Sequence, residues 1–207
     1  MNSLNASLRR TLGELWRGGY GEEVRRAAII APVLLLAGAV SAWFVPQVAE
    51  NILRFFTQAV DLDALTSADA KNVATALFLN NVTAAFSAIL WGLVPFAYLS
   101  VFSLGFNFFV VGAVGAYYVH GGTSLAAYLA GILPHGVVEL PTLVLFCAAG
   151  LYLCSCTTAR VRGNKDIRLI PVLAQISTLF LWVILPLLAL AALIEAYVTP
   201  QLLSLVA

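Results

Sequence analysis

Long uncharged runs alternate with short polar joints along this chain, and the spacing within each predicts its elements. Leu4, Leu8, Leu12, Leu15 and Trp16 recur at helical intervals beside Arg9, Arg10 and Arg17. That is an amphipathic helix lying on a membrane surface, residues 1–24, broken by Gly18-Gly19-Tyr20-Gly21. Ala27–Val45 is free of charge for 19 residues and follows Arg25-Arg26, which is enough for a first span, TM1 (27–45). Val40-Ser41-Ala42 resembles a signal cleavage site, but the run outlasts a usual signal core, so an uncleaved anchor is expected. After Pro46, the residues Val48, Ile52, Phe55, Phe56 and Val60 predict a second interfacial helix over 47–60. Ser67 or Asp69 is placed to cap the next helix.

Asn72–Val119 holds 48 residues without a charge. One straight helix of that length would reach about 72 Å, more than twice a ~30 Å hydrocarbon core. Two helices are therefore expected, TM2 (73–96) and TM3 (100–119), parted at Trp91-Gly92-Leu93-Val94-Pro95. His120-Gly121-Gly122-Thr123 is a turn. Ser124–Cys156 is too long for a simple span, so TM4 (124–156) should be bent or broken at Pro134. Leu169–Ile194 completes TM5 (169–194). The fold class is thus all-α integral membrane, with five transmembrane helices, two interfacial amphipathic helices and a single transmembrane domain over 25–207.

Composition agrees. The chain is 61% apolar and 10% charged, with mean hydropathy +0.94, and ordinary soluble domains carry about 25% charge. A net charge of +1 gives no electrostatic reason to expect nucleic acid; the expected surroundings are the lipid bilayer and membrane-protein partners or further copies of the chain. Placement of charge matters more than its sum. With five spans, Arg25-Arg26 and the basic residues Arg160, Arg162, Lys165 and Arg168 share one side, which the positive-inside rule makes cytoplasmic. The N-terminus is then inside and the C-terminus outside a cell (inner) membrane. Cys147, Cys154 and Cys156 form no disulfide framework, and the last two face the reducing cytoplasm.

Glu139 is the only Asp, Glu, Lys or Arg between Lys71 and Arg160. An ionisable residue at membrane depth costs ~2.5–3.5 kcal/mol on insertion scales, and so marks a candidate functional site. His135 lies four residues before it, on the same helical face. That face reads Tyr128, Gly131, His135, Glu139, Thr142, Phe146, Ala149; the lipid-facing side reads Leu129, Leu133, Val137, Leu140, Val144. Pro134 and Pro141 free the carbonyls of Ala130 and Val137, which must then find other partners. On TM2, Asn80, Thr83, Ser87 and Trp91 share one face, and Asn80 and Asn81 are the expected partners of Glu139 or His135. Gly105, Gly112, Gly115 and Ala116 on TM3 allow close helix approach.

These residues fit a structural hydrogen-bonded core, a station for a proton or cation, or a metal site of His135, Glu139 and His120. The last lacks an H-E-x-x-H motif. No G-x-S-x-G nucleophile motif is present, so no enzyme and no cofactor are expected.

Leu79-Asn80-Asn81-Val82, Trp91-Gly92-Leu93, Leu104-Gly105-Phe106-Asn107 and, above all, Leu133-Pro134-His135-Gly136-Val137-Val138-Glu139-Leu140-Pro141 resemble the stage II sporulation protein M family of bacterial and archaeal membrane proteins. Its usual string is I-L-P-H-G-x-x-E-L-P, complete here. The resemblance covers residues 70–155 and departs at Phe108, where glycine is expected. It implies a polar core of Pro134, His135, Gly136, Glu139, Pro141 and Thr142 with Asn80, Asn81 and Asn107. It also implies a non-enzymatic scaffold or complex component, since the name-giving member works with cell-wall-degrading partners in forespore engulfment. A transporter and an intramembrane metalloenzyme are the alternatives.

Overall fold

The computed structural model describes residues 2–59 and 69–206. Val60 and Ser67 lie outside them. Every regular element among the described residues is helical: α1 (Asn2–Leu15), α2 (Gly21–Phe44), α3 (Gln47–Ala59), α4 (Ala70–Leu90), α5 (Ser100–His120), α6 (Leu125–Val161), α7 (Leu169–Leu179), α8 (Leu185–Tyr197) and α9 (Thr199–Val206). Among the described residues, five stretches are long and apolar enough to cross a membrane: Asn5–Phe44, Ala70–Leu93, Ser100–His120, Leu125–Val161 and Leu169–Leu205.

The joints have local causes. Between α1 and α2 the chain turns at Gly19, whose φ of 118° suits glycine. The turn packs on the Tyr152 ring, whose hydroxyl would stand 3.0 Å from a Cβ at Gly18. Leu15 and Tyr20 are buried there, and the Tyr20 hydroxyl donates to the Leu145 carbonyl at 3.2 Å. At the start of α2, a hydrogen bond from Arg25 and its charge hold the Glu22 carboxyl below its ordinary range. Asp69 caps α4, its carboxylate accepting from the Lys71 amide at 2.9 Å. Ser124 caps α6 through the Ala127 amide at 3.1 Å.

α6 is the central column, packed against α2, α4, α5, α8 and α9. It has 37 residues, about 56 Å at helical rise. Of the bend or break expected at Pro134, the break does not occur: α6 runs as one helix through Pro134 and Pro141. Each proline removes a single donor, and helices packed along the column hold the turns on either side. The lipid-facing side follows the prediction at Leu129, Leu133 and Val137, all exposed, and fails at Val144, which is buried. The second half of α6 is enclosed by other helices all round.

The chain between α4 and α5 shows how this column tolerates an unwound segment. A 3-10 turn over Trp91–Leu93 ends α4 earlier than the predicted 96. Backbone groups freed there need partners wherever lipid replaces water. Ser100 Oγ donates to Ala88 O at 2.7 Å, Thr157 Oγ1 to Gly92 O at 3.0 Å and Cys154 Sγ to Val94 O at 3.3 Å. Thr158 Oγ1 accepts from the Phe96 amide at 2.8 Å. Phe96 and Tyr98 adopt positive φ, 65° and 46°, a strained conformation for such side chains, and the Arg162 guanidinium sits 5.3 Å from the Phe96 ring centre. Close approach is enforced by Gly92 and Gly150: a Cβ at the first would strike the Gly150 carbonyl, and at the second the Ala88 carbonyl.

α2 and α5 form the most extensive helix pair. A Cβ at Gly38 would strike the Phe109 carbonyl, and one at Gly112 the Leu35 carbonyl, so two glycines bring the backbones together. Of the predicted small residues, Gly115 faces the Tyr128 ring, while Gly105 has only Leu34 Cδ1 nearby, at 3.8 Å. Gly112→Ala should therefore cost about 1–3 kcal/mol or more of stability by overpacking against backbone, and Gly105→Ala close to nothing. Thermal unfolding of the two variants in the same detergent checks this, and equal midpoints would contradict the α2–α5 geometry.

Candidate functional site

His135 and Glu139 lie one turn apart on α6, and the structure adds a third residue from another helix. Glu195, on α8, brings a carboxylate oxygen so close that one donor atom from each of His135, Glu139 and Glu195 lies within 4.8 Å of the others. All three side chains are half-buried. From α4, the Asn81 amide is within hydrogen-bonding reach of the Glu139 carboxylate. Thr199, buried at the start of α9, sets its Oγ1 3.5 Å from His135 Nδ1. Three helical segments of different spans thus converge on one polar cluster.

Its depth can be gauged along two helices. His135 is ten residues into α6 from Leu125, and Asn81 is ten residues beyond Lys71 on α4. At 1.5 Å per residue both are roughly 15 Å below the helix ends. Two bare carboxylates at 4.8 Å would repel by about 3–4 kcal/mol at an effective dielectric constant of ~20. The ion pairs among the described residues all lie in 10–26, so none of them neutralises this cluster. That repulsion favours a proton or a cation between the acids.

The other residues expected here divide by orientation. Asn80 is exposed on the outer surface of the bundle; neighbours on a helix point about 100° apart, so Asn81 can face Glu139 only if Asn80 does not. Thr142 is buried but turns back to donate to Val138 O at 2.6 Å. Asn107 likewise donates to Ser103 O of its own helix at 2.8 Å and lines a separate cavity of about 730 Å³ with Ile30, Leu34 and Phe106. Gly136 is buried beside Ile132, 3.2 Å from a notional Cβ. Pro134 is half-buried and Pro141 is exposed. His120 is exposed and stacks edge-on with Trp43, ring centres 5.2 Å apart. It takes no part in the metal-type cluster, where Glu195 stands in its place.

Glu195 is not among the residues that the sequence singles out, because the uncharged run of TM5 stops at Ile194, just before it. The helix instead continues: Thr199–Val206 follows Tyr197 after one residue. The apolar residues after Glu195, among them Ala196, Val198, Leu202 and Leu203, were the available signal that this acid lies within a span.

The family model described as stage II sporulation protein M matches residues 27–200. The chain belongs to the stage II sporulation protein M family. The match embraces the whole cluster, Glu195 and Thr199 included. No curated protein and no solved structure matches the chain.

The proximity of Glu139 and Glu195 makes a specific energetic statement about this family member. The effects of Glu139→Gln and Glu195→Gln on unfolding free energy should be non-additive by about 0.5–3 kcal/mol. Denaturation of the two single variants and the double variant in detergent measures the term, and additivity to within about 0.3–0.5 kcal/mol would mean that the acids do not meet.

Proposed function

We propose that the protein is a non-enzymatic scaffold of a cell-membrane complex, with its N-terminus cytoplasmic and its C-terminus outside. The observation that carries this reading is the outward side of α4. Asn80 and Thr83 are both exposed, roughly 15 Å or more from the start of the helix at Ala70. Thr83 meets its own need by donating to the Leu79 carbonyl at 2.8 Å. The Asn80 amide has two donors and an acceptor, and lipid chains offer it nothing. A polar side chain on the outside of a transmembrane bundle is best explained by another transmembrane helix against it. Ser87, half-buried, and Trp91 continue the stripe. The His135–Glu139–Glu195 cluster complements it from within by tying α4, α6 and α8 into a fixed platform. Arg25, Arg26 and the basic residues after Arg160 support the orientation through the positive-inside rule.

A second reading, passage of a proton or cation past Glu139, draws support from a cavity of about 390 Å³ between Thr123 and Gly131, whose inner end is one turn from His135. Flux in liposomes separates the readings, since a scaffold gives none.

The scaffold reading predicts a membrane complex that depends on the α4 stripe. Asn80→Leu with Thr83→Val should weaken association roughly 3- to 30-fold, the equivalent of ~0.6–2 kcal/mol of interhelical hydrogen bonding. Chemical cross-linking in native membranes followed by denaturing gel analysis reads this directly. A protein that is monomeric in both forms contradicts the proposal.

A further inference from the structure

We infer that His135, Glu139 and Glu195 form a binding site for one divalent first-row transition-metal ion, which joins α6 to α8 inside the bundle. The donor set is the first reason. One imidazole and two carboxylates suit zinc, manganese or ferrous iron; they lack the thiolates that select copper(I) and include a nitrogen that magnesium and calcium sites do not favour. The spacing is the second. Zinc takes such ligands at about 2.0–2.2 Å in a tetrahedral shell, so donors around one ion stand roughly 3.3–3.6 Å apart. The three donor atoms already lie within 4.8 Å of one another, and a small rotation of the glutamates closes the difference.

The surroundings are the third reason, and an independent one. Metal-bound histidines ordinarily engage their other ring nitrogen with an oxygen that fixes the tautomer. Thr199 Oγ1 is 3.5 Å from His135 Nδ1 and its residue is only 6% exposed, which leaves Nε2 as the coordinating nitrogen. The Asn81 amide lies beside the Glu139 carboxylate, where outer-shell amides stand next to ligating acids. A cavity lined by Thr123, Tyr128, Gly131 and Leu203 lies on the same part of α6, and Gly131 is one helical turn before His135. A divalent cation also answers the electrostatic problem of two acids at this depth without any basic residue.

This inference does not depend on the scaffold reading, which rests on the outer face of α4. The test uses full-length protein in lipid nanodiscs, stripped of metal, loaded with Zn²⁺ and desalted, with metal and protein quantified together. One Zn²⁺ per chain is expected, with an absorption-edge spectrum of nitrogen and oxygen ligands and no sulfur. Glu195→Gln, nearly isosteric and so expected to keep its fold, should weaken binding about tenfold or more, and Asn80→Leu should leave it unchanged. Folded wild-type protein that retains no Zn²⁺ overturns the proposal and leaves a proton shared between the acids. Binding that survives Glu195→Gln, or a sulfur-containing shell pointing to Cys147, Cys154 and Cys156, overturns it as well.

Discussion

Hydrocarbon supplies no hydrogen bonds, so each polar group that enters it must bring a partner or be brought to one. That constraint organises this bundle at every level. Where α4 unwinds at Trp91, hydroxyls and a thiol from Ser100, Cys154, Thr157 and Thr158 meet the freed backbone groups. Where an acid lies within α6, a second acid, an amide and a hydroxyl from other elements join the imidazole of α6 around it. Packing alone does not explain these places, since apolar residues would fill the same space at lower cost.

The two polar regions lie at different points along one column. Toward the basic end, α6 is enclosed on all sides and locks the α4–α5 connection, with glycines 92 and 150 allowing backbone to meet backbone. Toward the other end α6 is half-open to lipid, and there the cluster joins it to α4 and α8. The P-H-G-x-x-E-L-P string sets the orientation of this end of α6. It puts His135 and Glu139 on the side that α8 approaches, while Pro141 and Val137 point away.

Much of this was legible in the residues. Uncharged runs gave five spans because the length of a helix is tied to the thickness of a bilayer. The i, i+4 spacing put His135 with Glu139, and the asparagine pair pointed at a partner on α4. What could not be read follows from tertiary geometry. Of Asn80 and Asn81, periodicity alone could not say which faces inward. Asn107 and Thr142 turned to carbonyls of their own helix, which such short side chains always have within reach. Nothing in the sequence sets Gly38 apart, and only the fold puts the Phe109 carbonyl against it. Two prolines predicted a break, and neighbouring helices held α6 together. Glu195 was lost by a rule that ends a span at its first charge, although an acid paired inside the bundle can lie within a span like any other residue.

As a stage II sporulation protein M family member, the chain carries a polar cluster inside its bundle and exposed polar residues, Asn80 and Thr83, on the outside of α4. The meeting of α8 with α6 through Glu195 is the claim on which the interior depends. Solid-state NMR of the protein in bilayers, with ¹⁵N-labelled histidine and ¹³C-labelled glutamate, tests it without any change of sequence. The His135 ring should correlate with two glutamate side-chain carboxyls, Glu139 and Glu195. Correlation with Glu139 alone would contradict the cluster, because an i+4 neighbour is all that an isolated α6 could provide.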